Sequence, residues 1–237
     1  ITQTLEESVA SGKTLEQIAA GEPAVWQPER PSGKKSRAGS APRPIKRTPA
    51  PGARKAPLAP WMAPQLATLV PTSPEGPDWV HELKYDGYRM LCRVKDGTAT
   101  LLTRNGHDWT AKLPHVAAAA ADLRINSAWL DGEVVALLPD GRVSFQRLQN
   151  AFDAQTDSHL VYVVFDLLYL DGYDLRPIPL IERKRLLSAL LQDNSQSTLI
   201  RYSAHIAGQG EVAFAEACRS GMEGLIAKRA DASYHAG

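Results

Sequence analysis

The sequence has little to lock a fold covalently and nothing to bury it in lipid. Of 237 residues only two are cysteine, Cys92 and Cys218, and they form no CxxC pair. That excludes a disulfide scaffold and a thiolate zinc site, and it fits a reducing compartment. No run of about 18 apolar residues occurs, so no transmembrane helix is expected. His81, His107 and His115 lack metal-ligand spacing, which removes a histidine-based zinc centre. The chain opens on Ile1 with neither an initiator Met nor a signal-like apolar stretch, and so reads as a piece of something longer.

One more absence is local. Residues 30–55 contain no acid, while carrying nine basic side chains: Arg30, Lys34, Lys35, Arg37, Arg43, Lys46, Arg47, Arg54 and Lys55. The net charge of +1 therefore conceals a segregated chain, in which the remaining 18 basic residues face 26 acidic ones. Around this stretch, residues 29–60 are rich in Pro, Gly, Ser, Lys and Arg. Such a composition buries too little apolar surface to offset its ordering entropy, and it predicts a flexible basic linker. Nine cations without acids can act as a spacer or contact phosphates without sequence preference. Residues 14–20 before it offer one short helix. The organisation expected is a connector and linker over 1–60, then a folded domain over 61–237.

Within that domain the patterning alternates between strand and helix without a strict βαβ rhythm. Tyr88, Met90, Cys92 and Val94 alternate with Arg89, Arg93 and Lys95, as in a half-buried strand. Asp96-Gly97 supplies a hairpin turn into a strand over Thr98–Thr103. Residues 129–138 and 160–168 read as buried strands, and 225–228 as another. Pro179 suits a helix start; Leu180, Ile181, Leu187, Leu190 and Leu191 give that helix an apolar stripe. Residues 212–219 predict a second amphipathic helix, preceded by a turn at Gly208-Gln209-Gly210. Hairpins with intervening helices define an α+β domain with antiparallel sheets.

The chemistry concentrates at Lys84-Tyr85-Asp86-Gly87-Tyr88-Arg89, between a strand over Trp79–Leu83 and the next one. A lysine amine is a nucleophile once deprotonated, which near neutral pH needs neighbouring cations or a bound metal. A glycine beside it lets backbone approach a phosphate closely. On these residues alone an ordinary charged hairpin stays open as a reading. So do a core role for Phe165, a surface role for Arg104, an edge-strand role for Glu133 and a capping role for Glu223.

Four further segments bear on that choice. Lys84 to Arg89 resembles motif I of the covalent nucleotidyltransferases, the superfamily of DNA ligases, RNA ligases and mRNA capping enzymes. Thr103-Arg104-Asn105-Gly106 is similar to the next motif, and Leu130-Asp131-Gly132-Glu133 to motif III in its DNA-ligase form. Val163-Val164-Phe165-Asp166-Leu167-Leu168 resembles the aromatic motif that follows. Glu223-Gly224-Leu225-Ile226-Ala227-Lys228 is similar to motif IV. All stand in the family's order. The tracts Ser144-Phe145-Gln146-Arg147-Leu148-Gln149, Asp174-Leu175-Arg176 and Glu182-Arg183-Lys184 resemble bacterial ATP-dependent DNA ligases. The residues around Lys84 and Arg104 are most similar to the ligase module of multidomain bacterial end-joining proteins, the ligase D type, and residues 12–21 resemble their connector.

The resemblance implies a covalent nucleotidyltransferase (ATP-grasp-like) domain with antiparallel sheets flanking an ATP cleft. It makes Lys84 the amine that takes AMP from ATP. It sets Glu82 against the adenine edge, Arg89 and Arg104 on ribose and phosphate oxygens, and Phe165 on the base. Glu133 would contact the ribose or a metal water, Glu223 would help hold Mg²⁺ (or Mn²⁺), and Lys228 would neutralise the α-phosphate. The implied substrate is nicked or broken double-stranded DNA. A Ku-type end-binding protein, fused polymerase and phosphoesterase modules, and a bacterial cytoplasmic, nucleoid-associated location follow from the same likeness.

The family pattern continues past motif IV into a lysine-rich motif V and an OB-fold domain, and the sequence stops at Gly237 before either. That puts pyrophosphate departure and DNA encirclement in doubt for this stretch alone. Two other readings therefore stand beside the DNA ligase: an RNA-end ligase or capping-type enzyme, and a catalytically incomplete DNA-binding fragment.

Overall fold

A computed structural model of the chain describes residues 50–138, 142–153, 159–194, 197–219 and 222–236. The expected helix over 14–20 and most of the basic linker lie outside the described residues.

The larger of two sheets is built on strands whose apolar residues fall on both faces. β3 (Tyr88–Lys95) and β4 (Thr98–Thr103) form the expected hairpin, with Lys95 opposite Thr98. Asp96 and Gly97 take φ of 49° and 74° between them, the left-handed pair that a two-residue turn needs to match strand twist. β5 (Ser127–Ala136) and β6 (Leu160–Leu170) are almost wholly buried, in keeping with their richness in Val, Leu and aromatic residues. With β1 (Arg54–Lys55), β2 (Trp79–Leu83), β7 (Tyr173–Asp174), β8 (Ile200–Tyr202), β9 (His205–Ala207) and β10 (Leu225–Arg229), the topology is complete. The seven-stranded sheet runs β1-β7-β6-β5-β3-β4 with β8 on β6, and the small one β10-β2-β9. Every pairing is antiparallel except β6 with β8.

Four α-helices lie among the described residues: α1 (Pro114–Ala121), α2 (Phe145–Asp153), α3 (Leu180–Gln192) and α4 (Gly210–Arg219). The main core joins one face of the large sheet to α1 and α3 through Met90, Cys92, Leu130, Val164, Val116, Leu187 and Leu190. A second cluster on the other face gathers Met62, Leu91, Trp129, Leu168, Tyr169 and Tyr234. Leu83 and Ile206 of the small sheet pack on Ala213 and Ala217 of α4.

Two expectations shift, and the amphipathic helix expected over 212–219 is α4. The linker does not stay free up to residue 60. β1 pairs with β7, Tyr169 donates to the Ala56 carbonyl at 2.9 Å, and Trp129 Nε1 donates to Ala59 at 3.0 Å. Backbone hydrogen bonds to a sheet edge stabilise this stretch despite its composition. In α3, Pro179 stands at the N-cap as read, but Ile181 is exposed and the buried face is Leu180, Arg183, Lys184, Leu187 and Leu190. Two cations thus occupy the apolar stripe. In α4, Ala213 and Ala217 face inward while Val212 and Phe214 are exposed.

Candidate active site

The segment 84–87 links β2 to β3, and with them joins the two sheets. Lys84 is held at its backbone, its N–H donating to the Gly224 carbonyl at 2.9 Å. Its ammonium makes an ion pair with Glu223. Packing requires glycine at position 87. A Cβ there would lie 2.3 Å from the Val134 carbonyl oxygen and 2.9 Å from Val135 Cγ1. Only glycine lets this loop rest on β5, and that contact sets where Lys84 emerges.

Behind Lys84 lies a buried charge cluster. Glu82 is 2 % exposed. Its Oε1 meets Lys184 Nζ and Lys228 Nζ, both at 3.0 Å, and Oε2 accepts from Ser203 Oγ at 3.0 Å. β10 brings Lys228 here because Ile226 pairs with Glu82 and side chains two apart share a strand face. Burial alone would raise the Glu82 carboxyl, but Lys184 and Lys228 outweigh it and hold it below the ordinary range.

The large sheet supplies the opposite wall. Arg89 on β3 is gripped by Asp131 of β5, Nε to Oδ1 at 2.9 Å and Nη2 to Oδ2 at 2.7 Å. Asp131 also accepts from the Tyr234 hydroxyl at 2.7 Å. Between Asp131 and Gly132 the register against β6 slips by one, since they face Asp166 and Val164. Phe165 is the residue left over. A bulge of this kind re-aims a side chain out of the pleat. Its ring has Arg89 Cζ at 5.0 Å and Lys228 Nζ at 4.4 Å, which marks a wall of the site and not simple core. Glu133 lies opposite Arg89. Burial pushes its carboxyl up to about 7; Asp131 and Asp86 act the same way, against Arg89 and Lys84.

Glu82, Lys84, Arg89, Glu133, Phe165, Glu223 and Lys228 are thus drawn together from β2, β3, β5, β6, β10 and the segments that flank β2 and β10. Arg104 is not tied to them: it is exposed in the turn after β4, one residue beyond Thr103, which pairs with Met90. Trp109 sits behind, against Tyr88 at 5.2 Å and Phe152 at 5.3 Å between ring centres. Sequence reading gave no role to Asp131, Lys184, Ser203 or Tyr234. Lys184 carried a signal, a charge on the buried face of a helix; Ser203 and Tyr234 carried none.

The arrangement suits a purine nucleotide: an aromatic face, two cations over it, a carboxylate floor and an amine at the mouth. It also fits a hard divalent cation. Glu133 is a carboxyl whose surroundings call for positive charge, and Glu223 is exposed in its ion pair with Lys84. Among the described residues no group of three or more His, Cys, Asp and Glu side chains is placed for a metal. Mg²⁺ needs no more than one or two carboxylates when phosphate oxygens and water complete its shell.

The comparisons agree with this geometry. The family model for the ATP dependent DNA ligase domain matches residues 63–237. A multifunctional non-homologous end joining protein LigD of Pseudomonas aeruginosa is 48 % identical over 180 residues, 76 % of this chain and 21 % of that protein. The LigD of Mycobacterium tuberculosis is 37 % identical over 177 residues, 74 % of this chain and 22 % of its own length. The chain thus spans about a fifth of the length of these relatives. Among solved structures, mycobacterial DNA ligase D complexed with ATP and MES superposes with a TM-score of 0.66 at 37 % identity, covering 74 % of this chain and 56 % of that one. With the α+β fold, the ordered motifs and a family match over most of its length, the chain belongs to the ATP-dependent DNA ligase domain family.

Proposed function

We propose that this domain performs lysine adenylylation for DNA end joining, with Lys84 as the covalent amine. The observation that carries the reading is the place of Lys84: a backbone-anchored amine at the mouth of a site walled by Phe165, Arg89 and Lys228. The deprotonated Lys84 amine attacks the α-phosphorus of ATP. The N–P bond forms, the bond to the pyrophosphate oxygen breaks, and the amine proton is lost. A DNA 5′-phosphate oxygen then attacks the same phosphorus, breaking the N–P bond and returning the amine. Finally a 3′-hydroxyl attacks the DNA phosphorus, and AMP leaves.

Phe165 stacks on the base, and Glu82 accepts from its exocyclic amino group. Arg89, with Arg104 reaching in from the rim, binds ribose and phosphate oxygens, and Lys228 meets the α-phosphate. Positioning and charge supply most of the catalysis in phosphoryl transfer. Glu133 and Glu223 would hold Mg²⁺ or Mn²⁺, which supplies positive charge to the phosphates when bound.

That the relatives are multifunctional non-homologous end joining proteins supports broken or nicked duplex DNA as substrate. By the same reasoning the domain works beside polymerase and phosphoesterase modules and a Ku-type end-binding protein. No helix among the described residues is long and apolar enough to cross a membrane, which is compatible with work at the bacterial nucleoid. We divide the chain accordingly into a tether before the domain and an adenylation domain from about Trp61, with its first sheet contacts made earlier.

The test is incubation with ATP labelled at the α-phosphate and Mg²⁺, followed by a denaturing gel. Acid-labile label on the chain and none on Lys84→Ala is the expected result. Absence of label here and on a chain extended through motif V and the OB fold would overturn the reading. Nick sealing on DNA against RNA duplexes separates it from an RNA-end ligase, and ATP against GTP from a capping-type enzyme.

A further inference from the structure

Lys184 of α3 is wholly buried, and nothing in the adenylylation chemistry requires it. An ammonium without water is costly unless each of its protons finds an acceptor. Lys184 Nζ donates to the Ser203 carbonyl at 3.0 Å and the Phe165 carbonyl at 3.3 Å, and forms an ion pair with Glu82 Oε1 at 3.0 Å. The Tyr202 ring lies 4.8 Å away on a further side. Two hydrogen bonds and one ion pair thus hold the ammonium, all on one wall of the site. Glu82 comes from the small sheet, Phe165 from the bulge in the large one, and Ser203 itself donates to Glu82 Oε2.

Lys228 also touches Glu82, but the two cations are unlike. Lys228 is 23 % exposed and shares its charge between Glu82 and the Phe165 ring, so it is free to turn toward a nucleotide phosphate. Lys184 has no such freedom. When Lys228 leaves, Lys184 alone compensates Glu82.

We infer that Lys184 is a positioning residue that keeps Glu82 an anionic acceptor and fixes it relative to Phe165, and so sets selectivity for adenine over guanine nucleotides. This rests on the assignment of Glu82 and Phe165 to the base under the proposed function. An ionised Glu82 accepts from the exocyclic amine of adenine and repels the carbonyl oxygen that guanine presents at that place. Without Lys184, a protonated Glu82 can donate to that oxygen, and the distinction fades.

Calorimetric titration of ATP and GTP tests this in a Lys84→Ala background, which removes the covalent step. Lys184→Met keeps length and loses charge. It should weaken ATP binding about tenfold, leave GTP binding within about twofold, and so collapse the ratio. Lys184→Arg should recover part of the preference. Adding Glu82→Gln to Lys184→Met should cost no further selectivity, because the two act as one unit. If Lys184→Met does not fold, Lys184→Arg and the double variant carry the comparison. Unaltered ATP and GTP affinities alongside a lower melting temperature would reduce Lys184 to a structural residue and overturn the inference. Equal affinity for ATP and GTP in the Lys84→Ala chain itself would instead overturn the base-wall assignment, whatever Lys184 does.

Discussion

Asp131 grips Arg89 with both carboxylate oxygens, at 2.9 and 2.7 Å, from a position with no exposure to solvent. The guanidinium is thereby aimed along the Phe165 ring, and the Tyr234 hydroxyl ties residues after β10 into the same node at 2.7 Å. Asp131→Asn would leave the guanidinium without its counter-charge and turn an amide N–H toward another donor. Breaking a buried pair costs about 3–5 kcal/mol, and the partial exposure of Arg89 lowers the expectation here to about 2–4 kcal/mol. Denaturant unfolding measures it, together with a rise in the ATP concentration needed for half-maximal labelling. An unchanged unfolding midpoint would mean that Asp131 does not hold Arg89.

Lys84 presents the opposite balance. Its pair with Glu223 is between side chains 41 % and 44 % exposed, where ion pairs contribute about 0–1 kcal/mol. Lys84→Ala should therefore abolish covalent labelling while moving thermal unfolding by no more than about 2–3 °C. A large loss of stability would assign Lys84 to the framework, and the loss of label would then say nothing about a nucleophile.

These two residues also show what was legible. Lys84, Arg89, Glu133, Phe165, Glu223 and Lys228 lie in local motifs, and a motif is visible because its residues are neighbours in sequence. The strand pattern was legible for a similar reason: alternation over 88–95 and the Asp96-Gly97 turn are local facts. What stayed hidden were partners chosen by tertiary packing. Asp131 stood inside a quoted motif without a role, because nothing local says that its carboxylate meets a guanidinium on another strand. Lys184 broke the apolar stripe of α3, yet its partners lie on β2, β6 and the residue after β8. The linker boundary was misplaced because composition reports entropy, whereas residues 50–60 are held by the edge they happen to meet.

Gly87→Ala tests the loop that carries the nucleophile. The added Cβ would fall 2.3 Å from the Val134 carbonyl oxygen, and a backbone atom inside a strand cannot swing aside as a side-chain tip can. The loop must lift from β5 and take Lys84 with it. Overpacking costs about 1–3 kcal/mol, and a misplacement of about 1 Å slows a positioned reaction by about a hundredfold. Single-turnover labelling should fall by that order while equilibrium ATP binding falls much less. Labelling at the parent rate would show that the loop relaxes without moving the amine.

The last expectation concerns acid. His205 pairs with Glu82 across β2 and β9; its Nδ1 lies 3.1 Å from the Tyr202 hydroxyl, and its buried Nε2 has no partner among the described residues. Burial, then Lys184 and Lys228, push it down from 6.5 to about 4, with Glu82 opposing. The folded ring thus stays neutral where the unfolded chain already binds a proton. Stability from this group is fully present above the unfolded value and is lost as pH falls toward the folded one. Between about pH 7 and about pH 5 the loss from this group should reach about 2 kcal/mol. Glu133, whose carboxyl burial raises to about 7, contributes in the opposite sense over the same range, so the imidazole is isolated by difference. His205→Gln, a neutral replacement at both pH values, should be about 2 kcal/mol more stable at pH 5 relative to pH 7 than the parent shows in denaturant unfolding. A pH dependence identical to the parent's would mean that the buried imidazole is no part of the acid sensitivity.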